Sequence, residues 1–319
     1  MDRPLSWWTP ENFSRKIPHL KARAEIVSRI RGFFESRGYL EVETPALQAS
    51  PCMEAHIQAF KTTRGLYLHT SPEFAMKKLL VAGLPKIYQI SHVFRDEEPS
   101  SLHSPEFSML EWYQTGLSYR GMMDETLDLL RHVAPQLSWK GKACDTGLPA
   151  TVITVADAVQ KYAGIDISAH LGDVAHLQAE ARRIGVYVSP QDDWENALLK
   201  IIMEKVEPHL GFGAPAILCD YPVSMAALSR PRPEDPRFAE RFELYVCGIE
   251  LANAFGELTD AKVQRERFLH DVALRKKTYG DDYPIDEDFL RALERGLPDC
   301  SGNALGVDRL VMLASGADH

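Results

Sequence analysis

The sequence predicts an α+β fold. Three observations carry that prediction: a helical apolar repeat from Leu20 to Arg37, a strand, polar loop and strand running from Ile87 to Tyr113, and a β-hairpin centred on Cys247-Gly248. With 319 residues, 45% of them hydrophobic and 25% charged, the chain can bury a sizeable core, and nothing in its composition points to disorder. No apolar run approaches the ~20 residues that span a bilayer, and Met1 to Pro10 has no basic segment followed by an apolar one. A cytoplasmic protein that uses no membrane is therefore expected. The five cysteines show no paired spacing, so neither a zinc site nor a disulfide framework is indicated. The net charge of -9 argues against a nucleic-acid partner, because Lys and Arg are dispersed and cluster only at Arg29-Arg31, Lys77-Lys78 and Arg275-Lys277.

Taken in order, the elements begin with a helix on which Leu20, Ala24, Val27, Ile30 and Phe34 recur at steps of three and four, with Gly38 as its cap. Tyr39 to Thr44 then alternates, Leu40, Val42 and Thr44 against Glu41 and Glu43, until Pro45 ends the strand. Thr70-Ser71-Pro72-Glu73 opens a helix that Gly83 closes. Thr70 as N-cap, Pro72 in the first turn and Glu73 in a capping box would explain that start without a ligand. Ile87 to Phe94 reads as a strand, Pro99-Ser100-Ser101 as a turn, and Phe107 to Tyr113 as a second strand. Arg95 stands where the first strand ends. Glu111 and Tyr113 share one face of the second, and Trp112 takes the other.

Ser118 to Pro236 mixes helices at Met122–Val133, Val174–Arg183 and Trp194–Val206 with strands at Thr151–Val155 and Ala216–Leu218. It ends in a proline-rich loop, Ser229 to Pro236, whose arginines read as solvated. In the hairpin from Arg241 to Leu258, a turn at Cys247-Gly248 puts Tyr245 opposite Glu250, with Glu243 diagonal to Glu250 on the same face. Two carboxylates so placed repel unless a cation lies between them, and magnesium suits such oxygen donors. Asp260 caps a helix to about Lys277, Asp286 begins another ending near Gly296, and Cys300 to Leu313 reads as a strand entering a helix through Gly306.

Three of these stretches carry a family resemblance. Val93 to Gly116, with Phe-Arg-x-Glu, a loop, His-x-Pro-Glu-Phe and then Glu-Trp-Tyr, resembles motif 2 of the class II aminoacyl-tRNA synthetases of the lysine type. The helix, Gly38, strand and Pro45 resemble motif 1, Cys300 to Leu313 resembles motif 3, and the three occur in order. Lysyl-tRNA synthetases carry an OB-fold anticodon-binding domain ahead of motif 1, which the short segment before the first helix cannot build. A lysine-type core without it resembles the EpmA family (also PoxA or GenX), ligases that attach (R)-β-lysine to a lysine of elongation factor P. Ser71-Pro72-Glu73 matches the amino-acid-binding motif of that family. Ala304 stands where the family carries Ala and lysyl-tRNA synthetases normally carry Gly.

The resemblance implies a single class II catalytic domain over residues 1–319, an antiparallel sheet flanked by helices, with an insertion at about 118–236 and no anticodon-binding domain ahead of it. It implies a homodimer, ATP with Mg2+, and elongation factor P as protein partner. Arg95 and Arg309 become the catalytic residues, Arg95 at the α-phosphate and Arg309 at the γ-phosphate. The nucleotide site becomes Arg95, Asp96, Glu97, His103, Ser104, Phe107, Glu250, Leu251, Gly306 and Arg309, with Glu97 on the adenine amino group and Phe107 on its ring. Glu243 and Glu250 become metal ligands. Ser71, Pro72, Glu73, Glu111, Tyr113, Asn253, Glu257 and Ala304 become the pocket for lysine or β-lysine. Asp96 and Ser104 replace a usual Asn, Ala254 replaces a usual Gly, and the chain stops soon after motif 3. A truncated synthetase that charges tRNA with α-lysine, and a non-catalytic regulator of synthetase type, are the alternatives.

Overall fold

Eight strands form one sheet in the order β1-β4-β5-β12-β11-β10-β9-β8. The computed structural model describes residues 8–96, 100 and 102–317. The first half of the chain supplies α1 (Pro10–Phe13), α2 (Ile17–Ser36), β1 (Leu40–Glu41), a small ladder of β2 (Leu47–Gln48) and β3 (Tyr67–Leu68), α3 (Glu73–Val81), β4 (Lys86–Phe94) and β5 (Glu106–Thr115). The middle adds α4 (Tyr119–Val133), a hairpin of β6 (Gln136–Trp139) and β7 (Lys142–Asp145), β8 (Thr151–Thr154), α5 (Val155–Ala163), α6 (Val174–Arg183), α7 (Trp194–Ile201) and β9 (Ala216–Pro222). The chain then gives β10 (Phe238–Val246), β11 (Ile249–Gly256), α8 (Ala261–Tyr279), α9 (Glu287–Gly296), β12 (Cys300–Gly306) and α10 (Val307–Ser315). All neighbouring pairs are antiparallel except β1 with β4 and β8 with β9 at the two edges.

Strand alternation gives the sheet two different faces. Leu110, Trp112, Phe242, Leu244, Ala252, Ala254 and Leu305 point backward into the main core, where α2, α4 and α10 cover them. Ala254, in place of the usual Gly, puts its methyl group into that core and not into the cleft. The opposite residues point forward, and the register aligns them across strands: Ala304 pairs with both Glu111 and Asn253, and Gly302 with both Tyr113 and Phe255. One end of this forward face is roofed by α3, α8 and α9, with Phe74 stacked on Phe289 at 4.4 Å between centroids.

The expected hairpin forms as written. Cys247 and Gly248 both have positive φ, 53° and 78°, which a two-residue turn matched to strand twist requires. Tyr245 faces Glu250, and a register shift between Leu244 and Tyr245 leaves Glu243 paired with Asn253.

Other expectations change. The strand proposed for Tyr39 to Thr44 is reduced to Leu40–Glu41, because at the sheet edge only β4 is available to pair with it. Thr70 does not cap α3: its hydroxyl is buried without a hydrogen-bond partner, the helix starts at Glu73, and Ser71 Oγ accepts from the Glu73 amide at 3.0 Å. The stretch 118–236 contributes to two cores. Its α4 packs on the main core and its β8 and β9 extend the main sheet, while α5, α6 and α7 gather a second core of their own. The loop arginines are not simply solvated. Arg230 pairs with Glu240 at 2.6 Å and also with Asp299, and Arg232 pairs with the buried Asp220 at 2.7 Å.

Candidate active site

The forward face carries two adjoining groups of polar side chains. The first gathers around the end of β4. Arg95 follows the last pair of the β4/β5 ladder, its amide donating to Pro105 O at 2.9 Å, and its guanidinium carbon lies 5.3 Å from the Phe107 ring centroid. Its Nε is buried and has no hydrogen-bond partner among the described residues. Arg309 enters from the first turn of α10, donating Nη1 to Glu250 O at 2.7 Å and lying 3.6 Å from Glu250 Oε2, with Nη2 3.1 Å from His103 Nε2. Glu243 accepts from Tyr221 at 2.6 Å, Tyr245 at 2.7 Å and Arg241 at 2.6 Å. The surrounding protein and Glu243 push the Glu250 carboxyl above the usual carboxylate range, and Arg309, Arg241 and Arg95 pull it back. Glu243, Arg309 and Arg95 are therefore each close enough to act on Glu250.

The second group lies under α3. Ser71 Oγ donates to Glu111 Oε1 at 2.6 Å, and Tyr113 Oη donates to Glu111 Oε2 at 3.0 Å. Burial first and Glu73 second push the Glu111 carboxyl up to about 8, against those two donors. Lys77, fully buried, sits 2.5 Å from Glu73 Oε1 and 2.5 Å from Glu257 Oε2. Burial alone would favour its neutral amine, but Glu257 and Glu73 outweigh it and hold the ammonium above its ordinary value. Burial likewise pushes Glu257 up despite Lys77 beside it. Glu257 Oε1 and Asn253 Oδ1 are buried without hydrogen-bond partners among the described residues. Gly302 makes the floor, since a Cβ there would overlap the Tyr113 ring and stand 2.5 Å from Glu257 Oε1.

Other expected residues stand further off. Leu251 turns its side chain into the main core, leaving only its backbone for the cleft. Asp96, His103 and Ser104 are exposed around the loop, and Glu97 lies outside the described residues. Gly306 begins α10 at φ -74°, where a Cβ would meet only the Arg309 side chain at 3.7 Å, so its backbone conformation does not demand glycine. Pro72 is buried ahead of α3. In the sequence Lys77 stands out only as one of a basic pair with Lys78. The usable signal was its place among Glu73, Phe74, Met76 and Leu80 on the buried stripe of α3, four residues after an acid. Glu54 was missed as well. Burial pushes its carboxyl up, offset by Arg95 and reinforced by Glu73, and the irregular loop that carries it has no period to read.

A family model described as tRNA synthetases class II (D, K and N) matches residues 12–319. Fold and cleft are those of such a catalytic core, and the chain belongs to that ATP-using family. The elongation factor P–(R)-β-lysine ligase of Sodalis glossinidius (strain morsitans) is 42% identical over 324 residues, covering 98% of this chain and 94% of the relative. The ligase of the same name from Klebsiella pneumoniae (strain 342) is 41% identical over 322 residues, with the same coverage. Within the class, the chain belongs with the elongation factor P–(R)-β-lysine ligases. No helix among the described residues is long and apolar enough to cross a membrane.

Proposed function

We propose that this chain uses ATP to convert (R)-β-lysine to its adenylate and passes the β-lysyl group to a lysine side chain of elongation factor P. The observation that carries this is the adjacency on one sheet face of an arginine-lined group and a buried acidic pocket suited to ammonium groups. The names of the full-length relatives support the choice of amino acid and acceptor.

Arg95 would bridge the substrate carboxylate and the α-phosphate, where a planar guanidinium stabilises the charge of the displacement. A carboxylate oxygen attacks the α-phosphorus as the bond to pyrophosphate breaks, and Arg309 meets the departing phosphates with His103. Phe107 offers a ring face to adenine. Glu73 would take the amine nearer the carboxylate, and Glu111, Tyr113 and Glu257 the distal one. In the second step the acceptor amine, having lost a proton to solvent, attacks the acyl carbon; the C–O bond to AMP breaks, AMP leaves, and the new amide nitrogen releases its second proton to solvent. Positioning and electrostatics carry both steps, and no side chain need act as nucleophile.

Magnesium would be held as a shared ion chiefly by Glu250, with Glu243 joining only by exchanging one of the donors it already accepts from, Tyr221, Tyr245 and Arg241. Among the described residues no three His, Cys, Asp or Glu side chains form a metal cage, whereas two close carboxylates suit a cation that brings water and phosphate as its remaining ligands. Bound there, it would neutralise phosphate charge. A homodimer is supported by the outer face of α2, where Leu20 is 49% exposed beside Ala24 and Val27, and by Leu40 on the edge strand at 52%.

ATP–pyrophosphate exchange with α-lysine and with each β-lysine enantiomer, followed by label transfer, tests the proposal. Preferential exchange with (R)-β-lysine and label on elongation factor P are expected. Label on tRNA would replace the acceptor, and absence of exchange with any of the three would end the catalytic reading.

A further inference from the structure

Lys77 lies between the two carboxylates that the preceding reading assigns to different amines. Each acid gives Lys77 one oxygen, Oε1 of Glu73 and Oε2 of Glu257. The other oxygens remain for a ligand. Glu257 Oε1 has no hydrogen-bond partner among the described residues, and Glu73 Oε2 has the Cys52 thiol at 3.8 Å. Gly302 lets the Tyr113 ring and Glu257 Oε1 approach the strand backbone closely, which holds that oxygen against the pocket floor. A fully buried ion triad is expensive in a site where an apolar side chain could pack against Phe289, whose ring centroid is 6.0 Å from Nζ. Stability alone is therefore a poor reason for it. Charge gives a better one: once an incoming ammonium has displaced the proton on Glu111, the carboxylates of Glu73, Glu111 and Glu257 against Lys77 leave two formal negative charges, which match two ammonium groups.

We infer that Lys77 is a positioning residue that fixes the separation of the two ammonium-binding carboxylates, so that the pocket measures the distance between the substrate's two amines. The inference rests on the proposed function for the assignment of those acids.

The test is kcat/KM in ATP–pyrophosphate exchange for 3,6-diaminohexanoate, 2,6-diaminohexanoate and 2,5-diaminopentanoate, with the wild-type chain, Lys77→Met and Lys77→Gln. The ratio between the best and the other diamino acids should fall about tenfold or more in both variants, with KM for ATP within about twofold and a cooperative thermal melt retained. Equal losses for all three substrates, or an unchanged ratio, would overturn the inference while leaving the proposed activity intact. Wild-type protein inactive with every diamino acid would instead sink the activity itself. Should neither variant fold, the side-chain Nζ resonance of Lys77 in the 15N-lysine-labelled wild type decides. It should move on titration with the preferred diamino acid and stay in place with ATP, and the absence of a shift with the diamino acid overturns the inference.

Discussion

The two halves of the cleft are built on opposite principles. Under α3, Glu111 and Glu257 are about 1% exposed, Lys77 is fully buried, and the acids already have internal partners in Ser71, Tyr113 and Lys77. At the end of β4, Glu250 keeps 41% of its side chain exposed and Arg309 25%, and Asp96, Ser100, His103 and Ser104 of the following loop are exposed. On the proposed reading, the buried half is preorganised for a small cation and must recognise it by geometry. The open half would then meet a polyanion with its guanidinium groups and a shared metal. Substitutions in the first should therefore act on the choice of amino acid, and substitutions in the second on turnover.

The largest effect is expected at the open half. Arg309→Met should lower the ATP–pyrophosphate exchange rate by about 10³-fold, the scale of losing one charge-stabilising donor in a transition state, with amino-acid KM changed by no more than about threefold. A rise in amino-acid KM equal to the fall in kcat would blur the division between the halves. Next comes Gly302→Ala. Its methyl group overlaps the Tyr113 ring and presses on Glu257, so steady-state kinetics should show amino-acid KM raised about 100-fold with ATP KM near its original value.

The same contrast explains what could be read from the sequence. Residues fixed by strand alternation were legible: Glu111 and Tyr113 two apart on β5, Glu243 on β10, and Glu250 opposite Tyr245 across a turn that positive-φ positions define. The backward-facing Trp112 was legible for the same reason. What escaped was set by packing between distant segments. Lys77 was hidden because its second partner, Glu257, lies far along the chain, and the irregular loop holding Glu54 takes its place from Arg275, which donates to Ala55 O at 3.1 Å and Ile57 O at 2.9 Å. The extent of β1 and the membership of β8 and β9 in the main sheet also depend on partners that no local pattern names.

A smaller effect should separate two closely related substrates. Ala304 lies in register with Glu111 on one side and Asn253 on the other, so its methyl group sits between the amine pocket and the strand leading to Glu257. One methyl group in a packed pocket is worth about 1 to 3 kcal/mol of discrimination. Ala304→Gly should therefore move the ratio of kcat/KM for (R)-β-lysine over α-lysine toward α-lysine by at least about tenfold. Competition between the two amino acids in one exchange assay reads this directly. An unchanged ratio would place discrimination elsewhere in the pocket.

The smallest effect is a slope with pH, and its sign follows from Glu111. Its carboxyl is raised from 4.5 to about 8 by burial and by Glu73, so the free protein holds a proton there at neutral pH that an incoming ammonium must displace. Affinity for the diamino acid should rise with pH up to about 8, by no more than about tenfold per unit for one proton, and level off until the substrate's own amines titrate. Stability of the ligand-free protein runs the other way. Because the folded state keeps that proton longer than the unfolded state, the contribution of Glu111 to stability declines as pH climbs from about 4.5 to about 8. Glu257, raised as well, adds in the same direction, so Glu111→Gln should flatten both slopes without abolishing them. Calorimetric titrations in two buffers of different ionisation enthalpy will count the protons released. A slope for the amino acid that survives Glu111→Gln unchanged, or a slope for ATP that the same substitution alters, would show that the two halves of the cleft are not the independent units their burial implies.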